Sequence, residues 1–321
     1  MRGMKVKNKN IMIIGGTGAL GNTLTSRYCN DNNIVIFSRD EHKQVEMKQK
    51  FENVIYQIGD VKDKESLLQS LNEYKPDVVI NTAALKHVPI CEDNPYESVK
   101  TNIIGHKNLI ECINLCIHKI ETLMFISTDK ACKPINVYGM CKAISERLYV
   151  DFANKQNDIK VVLCRYGNVL ESTGSVIPFF KKLLNNGSDT LPITNEKMTR
   201  FLLSLDESVD LIEWALNHND SHGNIVVPRL ESLKVVDLAK EIGKTYGFDD
   251  IKLNLIGIRP GEKIHEEMVS LEESLRVKEY DKYFMITDEI ISNTPFSFSS
   301  DLIIMPKNKV GKFLKEKGVI D

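Results

Sequence analysis

The run Gly15-Gly16-Thr17-Gly18-Ala19-Leu20-Gly21 falls between an apolar segment at residues 10–14 and a helical pattern at residues 20–30. Glycines at this spacing in a strand-to-helix turn confine the chain to few folds. Gly15 permits the tight turn, Gly18 lets backbone approach a pyrophosphate, and Gly21 allows the helix to lie close to the strand. Thr17, Ala19 and Leu20 carry the loop into a helix N-terminus, whose unpaired N–H groups and dipole favour an anion. A glycine triad alone is weak evidence; its place at the first strand–turn–helix junction gives it meaning.

Apolar, β-branched segments at 34–38, 54–58, 77–81, 123–127 and 160–165 alternate with helical patterns at 41–51, 64–74, 95–115 and 138–154. Such alternation requires crossovers and predicts an α/β fold, a Rossmann-type doubly wound parallel sheet. Near-continuous apolar strands suit burial on both faces. After Arg165 the rhythm changes. Gly167, Gly174, Pro178, Gly187 and Pro192 punctuate short segments, with helices at 205–217 and 235–246 and a strand at 224–228. The expected division is a dinucleotide-binding unit over 1–168, with 205–228 packing back onto it, and a smaller interleaved α/β substrate unit over 169–290. A loosely attached tail over 291–321 ends in an amphipathic stretch at 309–317.

At 321 residues the chain can bury a full core without disulfide or metal staples. A net charge of -2 leaves no global field for nucleic acid or a membrane surface, so an anionic ligand must be met by a local site. No apolar run approaches the roughly 18 residues of a membrane span. The basic start, residues 1–10, leads into a short strand and not a signal-peptide core. Seven cysteines without a C-x-x-C pair fit a reducing cytoplasm, and neither disulfides nor a metal site is expected. His218 and His222 share i, i+4 spacing but flank Asn219-Asp220-Ser221 and read as a solvated loop.

The second strand ends in Ser38-Arg39-Asp40, about 20 residues past the glycine turn, where a dinucleotide ribose is read. A hydroxyl and a guanidinium suit a 2′-phosphate, so NADP is expected over NAD; Asp40 is the residue that would instead serve an NAD ribose. Tyr138 and Lys142 stand at i and i+4, on one face of a helix. A phenol of pKa about 10 is a poor base at neutral pH, and a neighbouring ammonium favours its phenolate. The strand before this helix ends in Ser127-Thr128-Asp129-Lys130, at the carboxyl edge where parallel sheets bind ligands. Thr128 offers a hydroxyl. Asp129 and Lys130 add what β-elimination needs, a base for a carbon acid and an acid for a leaving hydroxyl.

Further motifs accompany these. Pro134-Ile135-Asn136-Val137-Tyr138-Gly139 follows Ser127-Thr128-Asp129-Lys130-Ala131, and Ala83-Ala84-Leu85-Lys86-His87-Val88-Pro89 follows the fourth strand. Lys100-Thr101-Asn102, Arg165-Tyr166-Gly167-Asn168-Val169, Met198-Thr199-Arg200-Phe201 and Arg259-Pro260-Gly261-Glu262-Lys263 lie beyond them. Through these motifs the chain resembles the inverting UDP-N-acetylglucosamine 4,6-dehydratases, short members of the extended short-chain dehydrogenase/reductase family that serve capsule and flagellin glycosylation. Membrane-bound retaining relatives carry Met where this chain has Tyr138, which favours the inverting form.

The resemblance implies oxidation at carbon 4 of the sugar, with Tyr138 as base and Thr128 as hydroxyl partner, and Lys142 on the nicotinamide ribose. Lys130 then removes the proton on carbon 5, Asp129 protonates the departing hydroxyl on carbon 6, and hydride returns to carbon 6. Lys130 must act neutral and Asp129 protonated, which calls for a closed, partly dry site. The resemblance also implies an adenine contact at Asp60-Val61 and cofactor contacts at Ala83, Ala84 and Lys86. For a UDP-sugar it implies Lys86, His87, Asn168, Thr199, Arg200, Arg259 and Glu262. Arg200 and Arg259 are the candidate diphosphate cations; Arg259 paired with Glu262, or Glu262 reading a uridine ribose, are open alternatives. A homo-oligomer, dimer or hexamer, is implied as well. The neighbouring readings are a retaining dehydratase and a UDP-hexose 4-epimerase, and the non-enzymatic one is an NADP-sensing regulator.

Overall fold

The computed structural model describes residues 6–172 and 174–320; the basic stretch at 1–5 lies outside them. Its first half alternates β1 (Asn10–Ile14), α1 (Ala19–Tyr28), β2 (Asn33–Ser38), α2 (Glu41–Lys48), β3 (Ile55–Ile58), α3 (Lys64–Tyr74) and β4 (Val78–Asn81). Then come α4 (Val88–Asp93), α5 (Pro95–Val99), α6 (Gly105–Leu115), β5 (Thr122–Ile126), α7 (Val137–Lys155) and β6 (Lys160–Cys164). The second half holds β7 (Asn168–Val169), α8 (Val176–Asn185), β8 (Thr190–Ile193), β9 (Thr199–Leu203), α9 (Leu205–Asn217), β10 (Ile225–Pro228), β11 (Ser232–Lys234) and α10 (Val235–Thr245). It closes with β12 (Lys252–Leu255), β13 (Glu267–Val269), α11 (Leu271–Ser274), β14 (Val277–Glu279), β15 (Tyr283–Ile286), β16 (Phe298–Ser299) and α12 (Lys307–Glu316).

Among the described residues nine strands form one sheet in the order β14-β15-β10-β6-β5-β4-β1-β2-β3. From β10 to β3 neighbours are parallel, and β15 and β14 add antiparallel at one edge. This is the doubly wound sheet expected from the alternation. Successive strand side chains point to opposite faces, so β1 feeds both. Met12 and Ile14 pack with Leu67, Leu109, Phe125 and Tyr149 on one face. Ile11 and Ile13 pack with Leu24, Tyr28, Val209 and Ile212 on the other. After β1 the chain moves outward through β2 and β3 and returns to β4 on β1's other flank. Ligands bind at such a switch point, beyond the strands' carboxyl ends.

Helix α9 opens with a Ser204–Glu207 capping box, which satisfies its first free N–H groups. It lies on α1, where Arg27 reaches Asp206, Asp210 and Glu213. A separate apolar cluster, including Phe180, Leu191, Leu238, Ile242, Val310 and Leu314, joins α8, α10 and α12.

Four sequence expectations need correction. The helix at 95–115 is interrupted by a π-helical turn at Lys100–Ile104. There the Asn102 side chain binds both the N–H and the carbonyl of Leu85, and Ser145 Oγ donates to the Asn102 carbonyl. Residues 277–286, assigned to the substrate half, extend the main sheet because Phe284, Met285 and Ile286 are buried there against β10. The tail is not loose: β16 pairs with β13, Phe298 is buried, and Ser300 bonds Thr199. His222 is no solvated loop residue, since its Nδ1 accepts from the Val161 N–H and its Nε2 meets the Ala153 carbonyl. Among the described residues no helix is long and apolar enough to cross a membrane.

Candidate active site

The glycine turn closes β1 onto the switch point. Gly15 adopts φ +74°, and a Cβ there would lie 2.7 Å from the Ala83 backbone. Gly18 differs: a Cβ on it would meet only the Gly15 carbonyl, at 3.6 Å. Protein packing therefore does not demand a glycine at 18; the room it leaves faces a cavity. Gly18 is the N-cap of α1 and makes no side-chain cap hydrogen bond, so the first N–H groups of the helix are free for an anion.

That cavity is about 590 Å³ and is lined by Gly15, Thr17, Gly18, Ala19, Leu20 and Gly21, by Ser38 and Arg39, by Asp60 and Val61, and by Ala83, Ala84, Lys86 and His87. Thr128, Lys130, Tyr138, Lys142 and Asn168 also line it. The structure thus gathers the expected cofactor residues and most of the catalytic ones on one surface. The free helix terminus, the open face at Gly18 and the cavity's extent fit a dinucleotide.

Helix α7 is started by Asn136, whose side chain accepts from the Gly139 N–H at 2.7 Å and donates to the Gly261 carbonyl at 2.8 Å. Gly139 lets the first turn press onto the Lys130 carbonyl, since a Cβ would come within 2.2 Å of it. Tyr138 is thereby set beside the short Asp129–Ala131 turn. Lys142 Nζ donates to the Ile126 carbonyl at 2.7 Å and sits 4.5 Å from the Phe125 ring centre. Burial pulls its ammonium down to about 7. Burial also raises the Tyr138 phenol, and the Lys130 charge and the Thr128 hydroxyl only partly offset this. The expected activation of Tyr138 by Lys142 is therefore not what this state shows; the influential cation is Lys130.

Asp129 is fully buried behind Lys130, 3.0 Å from Nζ, and its Oδ2 has no hydrogen-bond partner among the described residues. Burial raises its carboxyl, against the pull of the Lys130 charge. Lys130 Nζ also lies 3.2 Å from Glu266 Oε1. Burial disfavours its charged form, but the two carboxylates outweigh that and hold Lys130 above an ordinary lysine. The neutral Lys130 expected from sequence is corrected to a charged one, held so by two carboxylates. Glu266 was missed because no spacing links it to residue 130.

Sequence also missed a buried web behind the site. Arg165, 1% exposed, forks to both oxygens of Glu146 and of Glu273 at 2.6–2.9 Å. Glu146 in turn accepts from Ser127 Oγ at 2.6 Å. Two-point guanidinium–carboxylate contacts fix orientation as well as charge, so this web locks the end of β5 to α7.

The residues expected to hold a UDP-sugar are not all brought together. Lys86 and His87 line the cavity; burial lowers both, and the Lys86 charge lowers His87 further. Asn168 lines it too, with a buried Oδ1 that has no hydrogen-bond partner among the described residues. Arg200 is a correction: its guanidinium donates to the carbonyls of Thr199, Lys263 and Ile264, away from the cavity lining. Thr199 is fully buried and bonded to His265 and Ser300. Arg259 is exposed and Glu262 half-buried, both outside the lining, and the Arg259 N–H donates to Glu262 Oε2 at 3.2 Å.

Comparison with known proteins places this site. A family model described as "Polysaccharide biosynthesis protein" matches residues 11–288. An inverting UDP-N-acetylglucosamine 4,6-dehydratase of Campylobacter jejuni is 43% identical over 88% of this chain and 84% of its own length. A UDP-glucose 4-epimerase of Rickettsia felis is 39% identical over 87% and 83%. The X-ray structure of Pen from Bacillus thuringiensis superposes with a TM-score of 0.90 at 29% identity, over 99% of this chain and 100% of that one. DesIV of Streptomyces venezuelae, a dTDP-glucose 4,6-dehydratase solved with NAD and TYD bound, shares the fold with a TM-score of 0.70 at 18% identity, over 79% and 86%.

The NADP expectation is overturned, because the solved relatives whose dinucleotide is named hold NAD. The strand end shows a physical reason. Ser38 is buried with its hydroxyl 2.8 Å from Thr17 Oγ1, and Arg39 faces the Asp60 carboxylate at 3.6 Å. A carboxylate beside that guanidinium repels a second anion. A nucleotide-sugar 4,6-dehydratase or epimerase reaction follows from the relatives. Matched by the family model across most of its length, the chain belongs to the polysaccharide biosynthesis protein family and groups with its inverting UDP-N-acetylglucosamine 4,6-dehydratases.

Proposed function

We propose that this chain is an NAD-dependent UDP-N-acetylglucosamine 4,6-dehydratase that inverts carbon 5, yielding a UDP-2-acetamido-2,6-dideoxy-4-keto-hexose of L-arabino configuration. The observation that carries the reading is the Asp129–Lys130 contact of 3.0 Å beside Tyr138. An epimerase that only oxidises and reduces carbon 4 has no elimination for such a pair to catalyse.

When bound, NAD would supply a reversible hydride acceptor, by which the hydride of carbon 4 ends on carbon 6. Tyr138 takes the proton of the carbon 4 hydroxyl, and Thr128 holds that oxygen. A ketone at carbon 4 makes the proton on carbon 5 acidic. The Asp129–Lys130 pair takes that proton and gives one to the hydroxyl leaving carbon 6, the two residues exchanging protons across their contact. Return of a proton to carbon 5 from the opposite face gives inversion. Lys86, His87 and Asn168 line the cavity for the sugar. Arg259 and Glu262, outside that lining, are assigned to the uridine diphosphate end. Residues 1–168 with 205–228 form the cofactor unit in this reading.

Incubation with UDP-N-acetylglucosamine and mass spectrometry test the activity. Loss of one water with no net change in cofactor supports the dehydratase. A product of unchanged mass, epimeric at carbon 4, replaces it with the epimerase reading. Cofactor released by denaturation is expected to be NAD.

A further inference from the structure

The Asp129–Lys130 pair is held by a third group. Glu266 is 2% exposed, with Oε1 3.2 Å from Lys130 Nζ and Oε2 buried without a hydrogen-bond partner among the described residues. A buried carboxylate so placed is costly unless its charge is answered. The cations facing it are Lys130, Lys263 at 3.9 Å and Arg200 at 4.0 Å. Arg200 is committed to three carbonyls, and Lys263 donates to the Cys132 carbonyl at 2.7 Å. Lys130 is thus the nearest charge that answers Glu266. Facing Lys130 in turn are Asp129, Glu266, Arg200 and Tyr138.

The backbone of Glu266 is fixed from the far end of the chain. Its N–H donates to Ser300 Oγ at 2.9 Å, and its carbonyl accepts from the Ser300 N–H at 2.8 Å. The C-terminal segment therefore reaches the elimination pair through one residue. Burial alone would raise the Glu266 carboxyl; Lys130, Arg200 and Lys263 bring it below the usual carboxylate range.

We propose that Glu266 is a positioning residue for the elimination: anchored by Ser300, it holds the Lys130 amino group against Asp129 and fixes the charge of that pair. This rests on the dehydratase reading above. Oxidation at carbon 4 uses Tyr138 and Lys142, which Glu266 reaches only through the Lys130 charge, so removing the Glu266 carboxylate weighs on the elimination more than on the oxidation.

The test compares full-length wild type, Glu266→Gln and Glu266→Asp. Lys130 is titrated in ligand-free protein by NMR of ¹³Cε-labelled lysine, with its signal assigned through Lys130→Met. With UDP-N-acetylglucosamine, reduction of the nicotinamide is followed separately from solvent deuterium entering carbon 5. In Glu266→Gln the Lys130 midpoint is expected to fall by about one pH unit or more, as expected when a close opposite charge is lost. Deuterium entry is expected to fall about a hundredfold, while nicotinamide reduction persists. Glu266→Asp should restore much of the midpoint. An unchanged midpoint in Glu266→Gln, or equal loss of both half-reactions, overturns the proposal. If Glu266→Gln does not fold, Ser300→Ala, which loosens the anchor but keeps the carboxylate, carries the same comparison. If wild type loses no water, the elimination role falls with the dehydratase reading; the titration still decides whether Glu266 anchors Lys130.

Discussion

The nucleotide turn and the proposed elimination pair meet at one cavity, which Lys130 lines, and are built by opposite means. The turn is a contiguous stretch, Gly15 to Gly21, that offers backbone N–H groups at a helix end. The pair joins a buried Asp129 to a half-buried Lys130, and its surroundings come from Tyr138 on α7, Glu266 beside β13 and, behind that, Ser300. Backbone donors carry no net charge and need only space, so the turn tolerates being open. Buried charges need partners in fixed places, so the pair draws on segments far apart in sequence. The difference teaches that in this chain the proposed dinucleotide site is local, whereas the proposed elimination pair is assembled from segments far apart in sequence.

The sharpest break in the comparison is Lys130→Ala. It should lower solvent exchange at carbon 5 by about 10²- to 10⁴-fold or more and leave dinucleotide binding intact; equal loss of both, read by exchange kinetics and calorimetry, would merge the two regions. Next, Arg165→Met strands two buried carboxylates, Glu146 and Glu273. It should cost about 3–5 kcal/mol in chemical denaturation, showing that the scaffold behind the pair is itself charge-built. Within the turn, Gly18→Val and Gly21→Ala should part company. A Cβ at 21 would come within 2.1 Å of the Gly16 carbonyl, so Gly21→Ala should destabilise by about 1–3 kcal/mol. Gly18→Val should change stability little and weaken dinucleotide binding about tenfold or more, because the added atoms enter the space argued to hold the pyrophosphate.

The smallest effect concerns pH. His106 is buried against Phe125 and Tyr149, with Nε2 at the Ala83 carbonyl. Burial, reinforced by the Lys142 charge, pushes it down to about 3. The unfolded chain binds its proton near pH 6.5 and the folded one does not, so stability is lost as pH falls from about 6.5 toward 3. His106→Phe should flatten that part of a stability-versus-pH curve without altering its basic side.

Sequence made legible whatever depends on neighbours along the chain. The glycine turn, the strand–helix alternation, the Tyr138–Lys142 spacing and the Asp129–Lys130 pair all lie within short windows. The dehydratase motifs carried the family as well. Residue type at the ribose end misled: Ser38 and Arg39 looked like phosphate ligands, but Thr17 and Asp60 already engage them. Arg200 looked like a diphosphate cation until the fold surrounded it with carbonyls. Protonation states were the least legible. Tyr138, Lys130 and Lys142 take theirs from burial and from carboxylates that only the folded chain brings near.

The central claim is that Asp129 and Lys130 carry out an elimination at carbon 5, and one measurement meets it directly. An NMR time course of UDP-N-acetylglucosamine with the protein in deuterated water reads turnover, deuterium at carbon 5 and configuration together. The account predicts a 4-keto-6-deoxy product with deuterium at an inverted carbon 5. A carbon 4 epimer that keeps its original hydrogen at carbon 5 would contradict it.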